Sequence, residues 1–156
     1  MKRVAVFSDT HGDISAPLRI LPGLGKVDLL LFLGDVAADG QDLHRAYPDI
    51  PFTAVRGNND WFSPLPDVAE AEIAGVKILC THGHLMSPGE LRREMKKRGC
   101  RVGLFGHTHQ GYLERFPDGS LIMHPGSPTR PRDHRPSCGI NEIEGTEICA
   151  DLLPLL

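Results

Sequence analysis

The sequence lacks a long apolar run, and this absence excludes a membrane-spanning segment. No stretch among its 156 residues approaches the roughly 20 apolar residues that cross a bilayer. Lys2 and Arg3 precede an apolar run that covers only residues 4–7. That run is shorter than the roughly 7–15 residues of a secretory signal. We therefore expect no membrane partner and a cytoplasmic location.

Excess charge and clustered cysteines are also missing. The formal net charge is only −3 with histidine neutral, which argues against broad binding to nucleic acid. The 4 cysteines are widely spaced and form no Cys-x-x-Cys pair, so we expect buried, reduced thiols rather than a disulfide framework. The length suits a single domain spanning residues 1–156.

Short apolar runs that end abruptly in polar residues dominate the first two thirds of the chain. They cover residues 4–7, 29–33, 52–55, 76–80 and 102–105. Such runs are typical of strands buried on both faces. Helices are predicted between them, weakly over residues 40–47 and more clearly over residues 88–98, which follow Ser87 and end before Gly99. This alternation predicts an α/β fold.

Two β-hairpins are predicted in the last third of the chain. The first joins residues 112–116 to 120–123 through Pro117-Asp118-Gly119, and the second joins residues 139–143 to 146–152 through Glu144-Gly145. The sheet therefore has an antiparallel section, or two sheets stack on each other.

Each of the five apolar runs delivers Asp, Asn or His at its carboxyl end, where α/β sheets place their sites. Residues two apart in an extended chain point to the same side. Seven side chains are therefore expected to converge: Asp9, His11, Asp35, Asn58, His82, His107 and His109. Seven ligands are too many for one small ion and suit two ions that share a carboxylate. We predict that Asp35 is the shared carboxylate. Nitrogen and oxygen ligands without thiolate suit Mn²⁺ first, and also Fe²⁺, Co²⁺, Ni²⁺ or Zn²⁺. Paired ions are the usual clamp for hydrolysing phosphate esters.

These motifs resemble a known family. Asp9-x-His11, Gly34-Asp35, Gly57-Asn58-Asn59-Asp60, His82-Gly83-His84 and Gly106-His107-Thr108-His109 occur in the order used by calcineurin-like metallophosphoesterases. The resemblance covers residues 4 to about 132. The short chain and the Pro125-Gly126-Ser127-Pro128 motif are similar to the small prokaryotic phosphodiesterases that share their fold with the retromer scaffold subunit. The implied fold is α/β, a four-layer αββα sandwich of two mixed β-sheets flanked by helices.

The resemblance also implies how two divalent ions would be held. One ion would take Asp9, His11, Asp35 and His109, and the other Asp35, Asn58, His82 and His107. A hydroxide bridging the ions would attack a phosphate ester in line with the leaving group. The expected activity is that of a dinuclear metal-dependent phosphodiesterase acting on a small phosphate ester.

Two alternative functions remain open, as does the oligomeric state. A phosphomonoesterase or nucleotidase would use the same ions with a different pocket. A protein-binding scaffold would keep the fold without turnover, although every ligand position here is filled. The family implies a homodimer or a higher homo-oligomer.

The catalytic and substrate-binding residues are less clearly indicated. Asn59 occupies the position where many family members have a histidine that protonates the leaving group, so His84 and His11 are the candidates for that role. Asn59 can still donate a hydrogen bond to a phosphoryl oxygen. Arg56 either contacts phosphate or forms a surface ion pair. His124 either lines the cleft or ends a hairpin.

Three further features have alternative interpretations. Trp61 and Phe62 either stack on an aromatic or nucleobase leaving group, pack in the core, or form an oligomer contact. The basic segment 130–136 is either a solvated loop, in which His134 would lie, or a loop beside the site that helps to bind an anionic substrate. Asp60 either caps the following segment or orients a ligand.

Overall fold

The computed structural model of the protein describes residues 1–133 and 135–155, so the predicted loop position of His134 lies outside the described residues. The strands are β1 Lys2–Phe7, β2 Leu29–Phe32, β3 Phe52–Ala54, β4 Val68–Ile73, β5 Val76–Thr81, β6 Val102–Leu104, β7 Tyr112–Arg115, β8 Leu121–His124, β9 Ser137–Glu144 and β10 Glu147–Pro154. The helices are α1 Ser15–Ile20, α2 Ala37–Ala46 and α3 Pro88–Arg98, and a 3-10 helix covers Leu21–Leu24.

The strands form two five-stranded sheets that are both mixed. The first sheet has the order β10-β9-β1-β2-β3, in which β1, β2 and β3 are parallel, β9 is antiparallel to β1, and β10 is antiparallel to β9. The second has the order β4-β5-β6-β8-β7, with β5, β6 and β8 parallel and antiparallel strands at both edges. Both predicted hairpins are therefore confirmed as β7–β8 and β9–β10.

Apolar side chains join these sheets and the helices into four layers. Between the sheets, residues such as Val6 of the first sheet and Ile78 of the second are fully buried in one cluster. Leu43 of α2 packs with the outer face of the first sheet. Leu91 and Met95 of α3 pack on the outer face of the second. The predicted αββα sandwich is confirmed.

The helices show which boundaries the sequence could predict. Helix α3 has the predicted bounds because its caps are local: Oγ of Ser87 accepts a hydrogen bond from N of Glu90, and Gly99 has a φ of 70°. Helix α2 begins earlier than predicted, at Ala37. Oδ1 of Asp60, from another loop, accepts the hydrogen bond from N of Ala37 at 2.8 Å. Such a long-range cap leaves no local pattern in the sequence.

All four cysteines are free, and three are buried, whereas Cys149 is exposed, which differs from the expectation. Among residues 1–133 and 135–155, no helix has the length and apolar character that crossing a bilayer requires.

Candidate metal centre

The loops that follow β1, β2, β3, β5 and β6 meet at one edge of the sandwich, where the parallel strands of both sheets end. Within the first sheet, N of Asp9 donates to the carbonyl of Gly34 at 2.7 Å. Between the sheets, Nδ1 of His82 lies 2.7 Å from the carbonyl of Leu33. These contacts bring together all seven residues expected to converge: Asp9, His11, Asp35, Asn58, His82, His107 and His109.

The first group of potential ligands consists of Asp9, His11 and His109, whose donor atoms all lie within 4.8 Å of one another. The Nε2 atoms of His11 and His109 are 3.0 Å apart, and Nε2 of His109 is 3.4 Å from Oδ1 of Asp9. Nδ1 of His109 donates to the carbonyl of Arg130 at 2.8 Å, which leaves its Nε2 with a lone pair. Burial, and then the neighbouring His109, lower the pKa of His11, so its ring is neutral near pH 7.

The second group contains Asp9, Asp35 and His82, again within 4.8 Å. Asn58 joins it, because its Oδ1 lies 3.0 Å from Nε2 of His82 and 3.1 Å from Nδ1 of His107. Nδ1 of His82 donates to a carbonyl, so Nε2 carries a lone pair. Burial lowers the pKa of His82 to about 4, which keeps the ring neutral. A lone pair and a carbonyl oxygen that face each other at this distance suit a cation between them.

Asp9 belongs to both groups and lies at their centre. Its side chain is fully buried, and burial raises its pKa to about 7. Oγ of Ser8 and N of His107 donate to Oδ2, whereas Oδ1 accepts no hydrogen bond from any residue in the described ranges. A buried carboxylate oxygen without a donor and a set of nitrogen and oxygen ligands without thiolate both fit divalent metal ions.

The structure gives Asp35 a different environment. Its two carboxylate oxygens accept hydrogen bonds from N of Asn59 at 3.0 Å and from Nδ2 of Asn59 at 2.5 Å. Asp9 is the carboxylate shared by the two groups, while Asp35 is a member of the second only. The role of Asp35 as the bridging ligand stays a prediction, and Asp9 is placed for the same role.

Strained backbone positions several of these side chains. Asp9, His11, His107 and His109 have φ values of 57°, 49°, 78° and 60°, in the left-handed region that non-glycine residues rarely adopt. Ser127 helps to hold this conformation, since its Oγ donates to the carbonyl of Asp9 at 2.8 Å. Strain of this kind is retained where surrounding contacts over-determine the backbone, and it is common at functional sites.

Two further buried carboxylates anchor the loops without belonging to the groups. Oδ2 of Asp60 accepts a hydrogen bond from N of Gly57 at 2.7 Å, and its Oδ1 accepts one from N of Ala37. Asp60 therefore ties the Asn58 loop to the start of α2. Oδ2 of Asp39 accepts a hydrogen bond from Oγ1 of Thr10 at 2.6 Å. Sequence analysis missed Asp39, because an acidic residue in the first turn of a helix is an ordinary dipole partner.

His84 and Asn59, two of the candidate catalytic residues, border the groups. The half-buried ring of His84 has its centroid 5.5 Å from that of His82 and 6.3 Å from that of His107. Its Nδ1 has no hydrogen-bond partner within the ranges that the structure covers. The side-chain amide of Asn59 donates a hydrogen bond to Oδ2 of Asp35. The group that was expected to donate to phosphate therefore donates to Asp35.

The candidate substrate-binding residues lie in contrasting positions. Nε and Nη2 of Arg56 donate to the Asp67 carboxylate at 2.7 and 3.2 Å. Arg56 therefore forms an ion pair, which was one of the two interpretations of this residue. The proposed place of His124 on the cleft wall is wrong. His124 is fully buried, and its Nε2 lies 3.8 Å from Oδ2 of Asp9. N of Gly126 donates to Nδ1 of His124, so the neutral ring carries its proton on Nε2, toward Asp9.

The exposed aromatic residues and the basic segment are both near the site. Trp61 and Phe62 are 80% and 101% exposed, so the core-packing alternative is wrong. The carbonyl of Arg130 accepts the hydrogen bond from His109, and N of Arg132 donates to the carbonyl of His109 at 2.9 Å. The described part of the basic segment therefore lies beside the first group of potential ligands.

Comparison with known proteins identifies the class of this site and then its family. A fold of two stacked mixed sheets with these ligands at one edge is that of metal-dependent phosphoesterases. Residues 1–146 match the family model of the calcineurin-like phosphoesterase superfamily domain, and the chain belongs to that family. A probable metallophosphoesterase of Methanocaldococcus jannaschii is 34% identical over 136 residues, which are 83% of this chain and 69% of that protein.

Solved structures show the same fold at lower identity. Vps29 of Chaetomium thermophilum has a TM-score of 0.76 and 20% identity, over 97% of this chain and 95% of that chain. An archaeal phosphodiesterase has a TM-score of 0.75 and 22% identity, over 97% of this chain and 99% of that chain. The predicted resemblance to the small branch that includes both is confirmed. The chain is a metallophosphoesterase, a hydrolase that acts on phosphate esters with divalent metal ions.

Proposed function

We propose that the chain is a phosphodiesterase whose centre holds two divalent ions. The observation that carries this proposal is the arrangement around Asp9. Oδ1 of Asp9 lies 3.4 Å from Nε2 of His109 and its carboxylate 3.8 Å from Nε2 of His82, and both ring nitrogens have lone pairs. Two groups of ligands that share one buried carboxylate support two ions rather than one.

We assign the ligands with Asp35 as the bridge, and Asp9, the residue common to both groups in the structure, is the alternative bridge. Asp9, His11, His109 and Asp35 would hold one ion, and Asp35, Asn58, His82 and His107 the other. Mn²⁺ is our first choice, and Ni²⁺, Co²⁺, Fe²⁺ or Zn²⁺ fit the same ligands. When bound, the ions would supply a nucleophilic water of lowered pKa and neutralise charge on the phosphoryl oxygens.

The surrounding side chains would orient the ligands and move protons. His82 and His109 each donate Nδ1–H to a main-chain carbonyl, which fixes the ring with Nε2 toward the ions. Asn59 holds Asp35 in place. The ring of His84 borders the second group, so it would protonate the leaving alkoxide. His11, a ligand in this scheme, is the weaker candidate for that proton.

The substrate is a small phosphate ester. The protein acts in the cytoplasm as a homodimer or higher homo-oligomer, without membrane association or broad nucleic-acid binding. A preference for diesters is supported by the archaeal relative described as a phosphodiesterase. The phosphomonoesterase alternative uses the same ligands and differs in its substrate alone.

The experiment compares two chromogenic substrates. Metal-stripped protein is assayed with bis(p-nitrophenyl) phosphate and p-nitrophenyl phosphate after adding back Mn²⁺, Ni²⁺, Co²⁺, Zn²⁺ or Mg²⁺. Metal-restored cleavage that favours the diester supports the proposal and identifies the working ion. A preference for the monoester assigns the site to a phosphatase. No turnover with any ion, in protein that binds metal, favours the scaffold.

A further inference from the structure

A cleft beside the second group of ligands has an apolar wall that the metal centre does not explain. The cleft has a volume of about 480 Å³ and is bordered on the metal side by Asn58, Asn59 and His84. Its apolar lining includes Trp61 and Leu85, which are 80% and 62% exposed. Large apolar side chains so exposed beside a polar site are typical of ligand contacts.

The backbone next to Trp61 is held by the same contacts that hold the metal-side loop. Trp61 directly follows Asp60, which is 8% exposed and binds N of Gly57 and N of Ala37 through its carboxylate. On the other side, N of Ser63 donates to the carbonyl of Asp60 at 3.1 Å. The indole is therefore carried by a short, anchored turn that also carries Asn58.

The remaining charges near the cleft leave room for a neutral ring. Arg56 and Asp67, which also border the cleft, neutralise each other in a two-point ion pair. Their side chains are each 37% exposed, so polar edges remain available at the cleft. Arg130 and Arg132 are exposed and lie by His109, next to the first group of ligands. Positive charge for a phosphate is thus on one side of the centre and the apolar wall on the other.

We propose that this cleft is a subsite for a planar aromatic group esterified to the phosphate, with Trp61 stacking on the ring. The inference rests on the proposed function, because the phosphate must lie at the metal centre for the ring to reach the cleft. A nucleobase and a simple aryl group share this chemistry. Trp61 determines specificity for the ring and takes no part in the chemical step.

The chain offers a direct signal and a matched control. Trp61 is the only tryptophan of the 156 residues, so its fluorescence reports a stacked ring without interference. Phe62 is the neighbouring exposed aromatic residue. It lines a second cleft, which Trp61 also borders, but it is not among the residues that line the cleft beside His84. Phe62→Ala therefore removes a comparable apolar surface and leaves Trp61 and Leu85 in the cleft beside His84.

The experiment uses phosphonates, whose carbon–phosphorus bond is not hydrolysed. Zn²⁺-loaded protein is titrated with benzylphosphonate, 9-(2-phosphonoethyl)adenine and methylphosphonate, following fluorescence and heat. We expect the ring-bearing compounds to quench Trp61 and to bind about tenfold more tightly than methylphosphonate, as stacking on an aromatic side chain allows. Trp61→Ala should abolish that advantage and leave methylphosphonate binding unchanged, while Phe62→Ala should retain both. The adenine and benzyl compounds distinguish a nucleobase from an aryl group.

Three results would overturn the inference, and they differ from one another. Equal binding of all three compounds, or an advantage that survives Trp61→Ala, rejects the ring subsite while leaving the phosphoesterase centre in place. Failure of every phosphonate to bind, methylphosphonate included, rejects the proposed function and the subsite with it. A dimer that Trp61→Ala converts to monomer, with no ring-dependent quenching, assigns the surface to contact between copies of the chain.

Discussion

Nε2 of His82 and Oδ1 of Asn58 lie 3.0 Å apart, and each directs an electron pair toward the other. The contact with Leu33 fixes this arrangement, because Nδ1 of His82 donates its proton to the carbonyl of Leu33 and leaves Nε2 without one. Contacts of this kind are unfavourable without a cation and become ligand pairs with one. The site is therefore organised for metal at the expense of the stability of the metal-free protein.

Asp9→Asn is expected to stabilise the metal-free protein. Burial raises the pKa of Asp9 from 3.8 to about 7, so the folded state holds a proton that the unfolded state loses between these values. The free energy of unfolding then falls as pH rises from about 4 to 7, and the whole penalty is present at pH 8. Asparagine removes the charge, and its amide can donate toward the lone pairs of His82 and His109. The gain at pH 8 should be on the order of 2–4 kcal/mol.

Urea unfolding of metal-free wild type and variant between pH 4 and 8 measures this gain. The lowered pKa values of His82 and His124, about 4 and 3, act in the opposite direction. They are common to both proteins and cancel in the difference. The exposed Asp13→Asn is the control and should show no gain that grows with pH. A wild type as stable as Asp9→Asn at pH 8 would show that Asp9 carries no such penalty.

Asp60→Ala should weaken metal binding and the fold together. The substitution leaves N of Gly57 and N of Ala37 without their buried acceptor, which costs about 2–4 kcal/mol of unfolding free energy. Release of the Asn58 loop should raise the metal concentration needed for half-maximal activity. Asp60→Asn keeps one acceptor oxygen, so its stability and its metal requirement should lie between those of wild type and Asp60→Ala.

The measurements for Asp60 are urea unfolding and a metal titration of activity. Asp118→Ala is the control, since that exposed carboxylate accepts its hydrogen bonds from N and Oγ of Ser120 in its own turn. Unchanged metal affinity in an Asp60→Ala protein of reduced stability would limit Asp60 to capping α2.

His84→Ala is expected to lower turnover while metal content stays unchanged. If His84 protonates the leaving group, the loss should be small for p-nitrophenyl esters, whose leaving group needs no proton. It should approach about 100-fold for phenyl esters. Metal analysis and kcat with both esters test this, with His44→Ala on α2 as the control. Equal losses for the two esters would remove His84 as the acid, and a parallel fall in metal would make it a ligand.

The sequence predicted the parts of the site that depend on where strands end. Asp9, His82 and His107 follow apolar runs, and parallel strands of one sheet end at the same edge. The hairpins followed from local turn residues such as Pro117-Asp118-Gly119. These features depend on neighbours in the chain, and a single sequence contains them.

Contacts between distant segments could not be predicted in the same way. His124 ends a hairpin, as one alternative held, but its burial next to Asp9 depends on how the two sheets stack. Asp60 caps a helix that begins 23 residues earlier in the chain. Arg56 forms an ion pair with Asp67 rather than pointing its guanidinium at the metal centre. In each case the sequence allows two partners, and tertiary packing selects one.

The most direct test of the two-ion centre is Asp35→Asn, with metal content and hydrolysis of bis(p-nitrophenyl) phosphate measured on the same sample. We expect bound metal and turnover to fall together while circular dichroism shows a folded protein, because Asp35 is the ligand that we assign to both ions. Normal turnover by Asp35→Asn would contradict the two-ion centre.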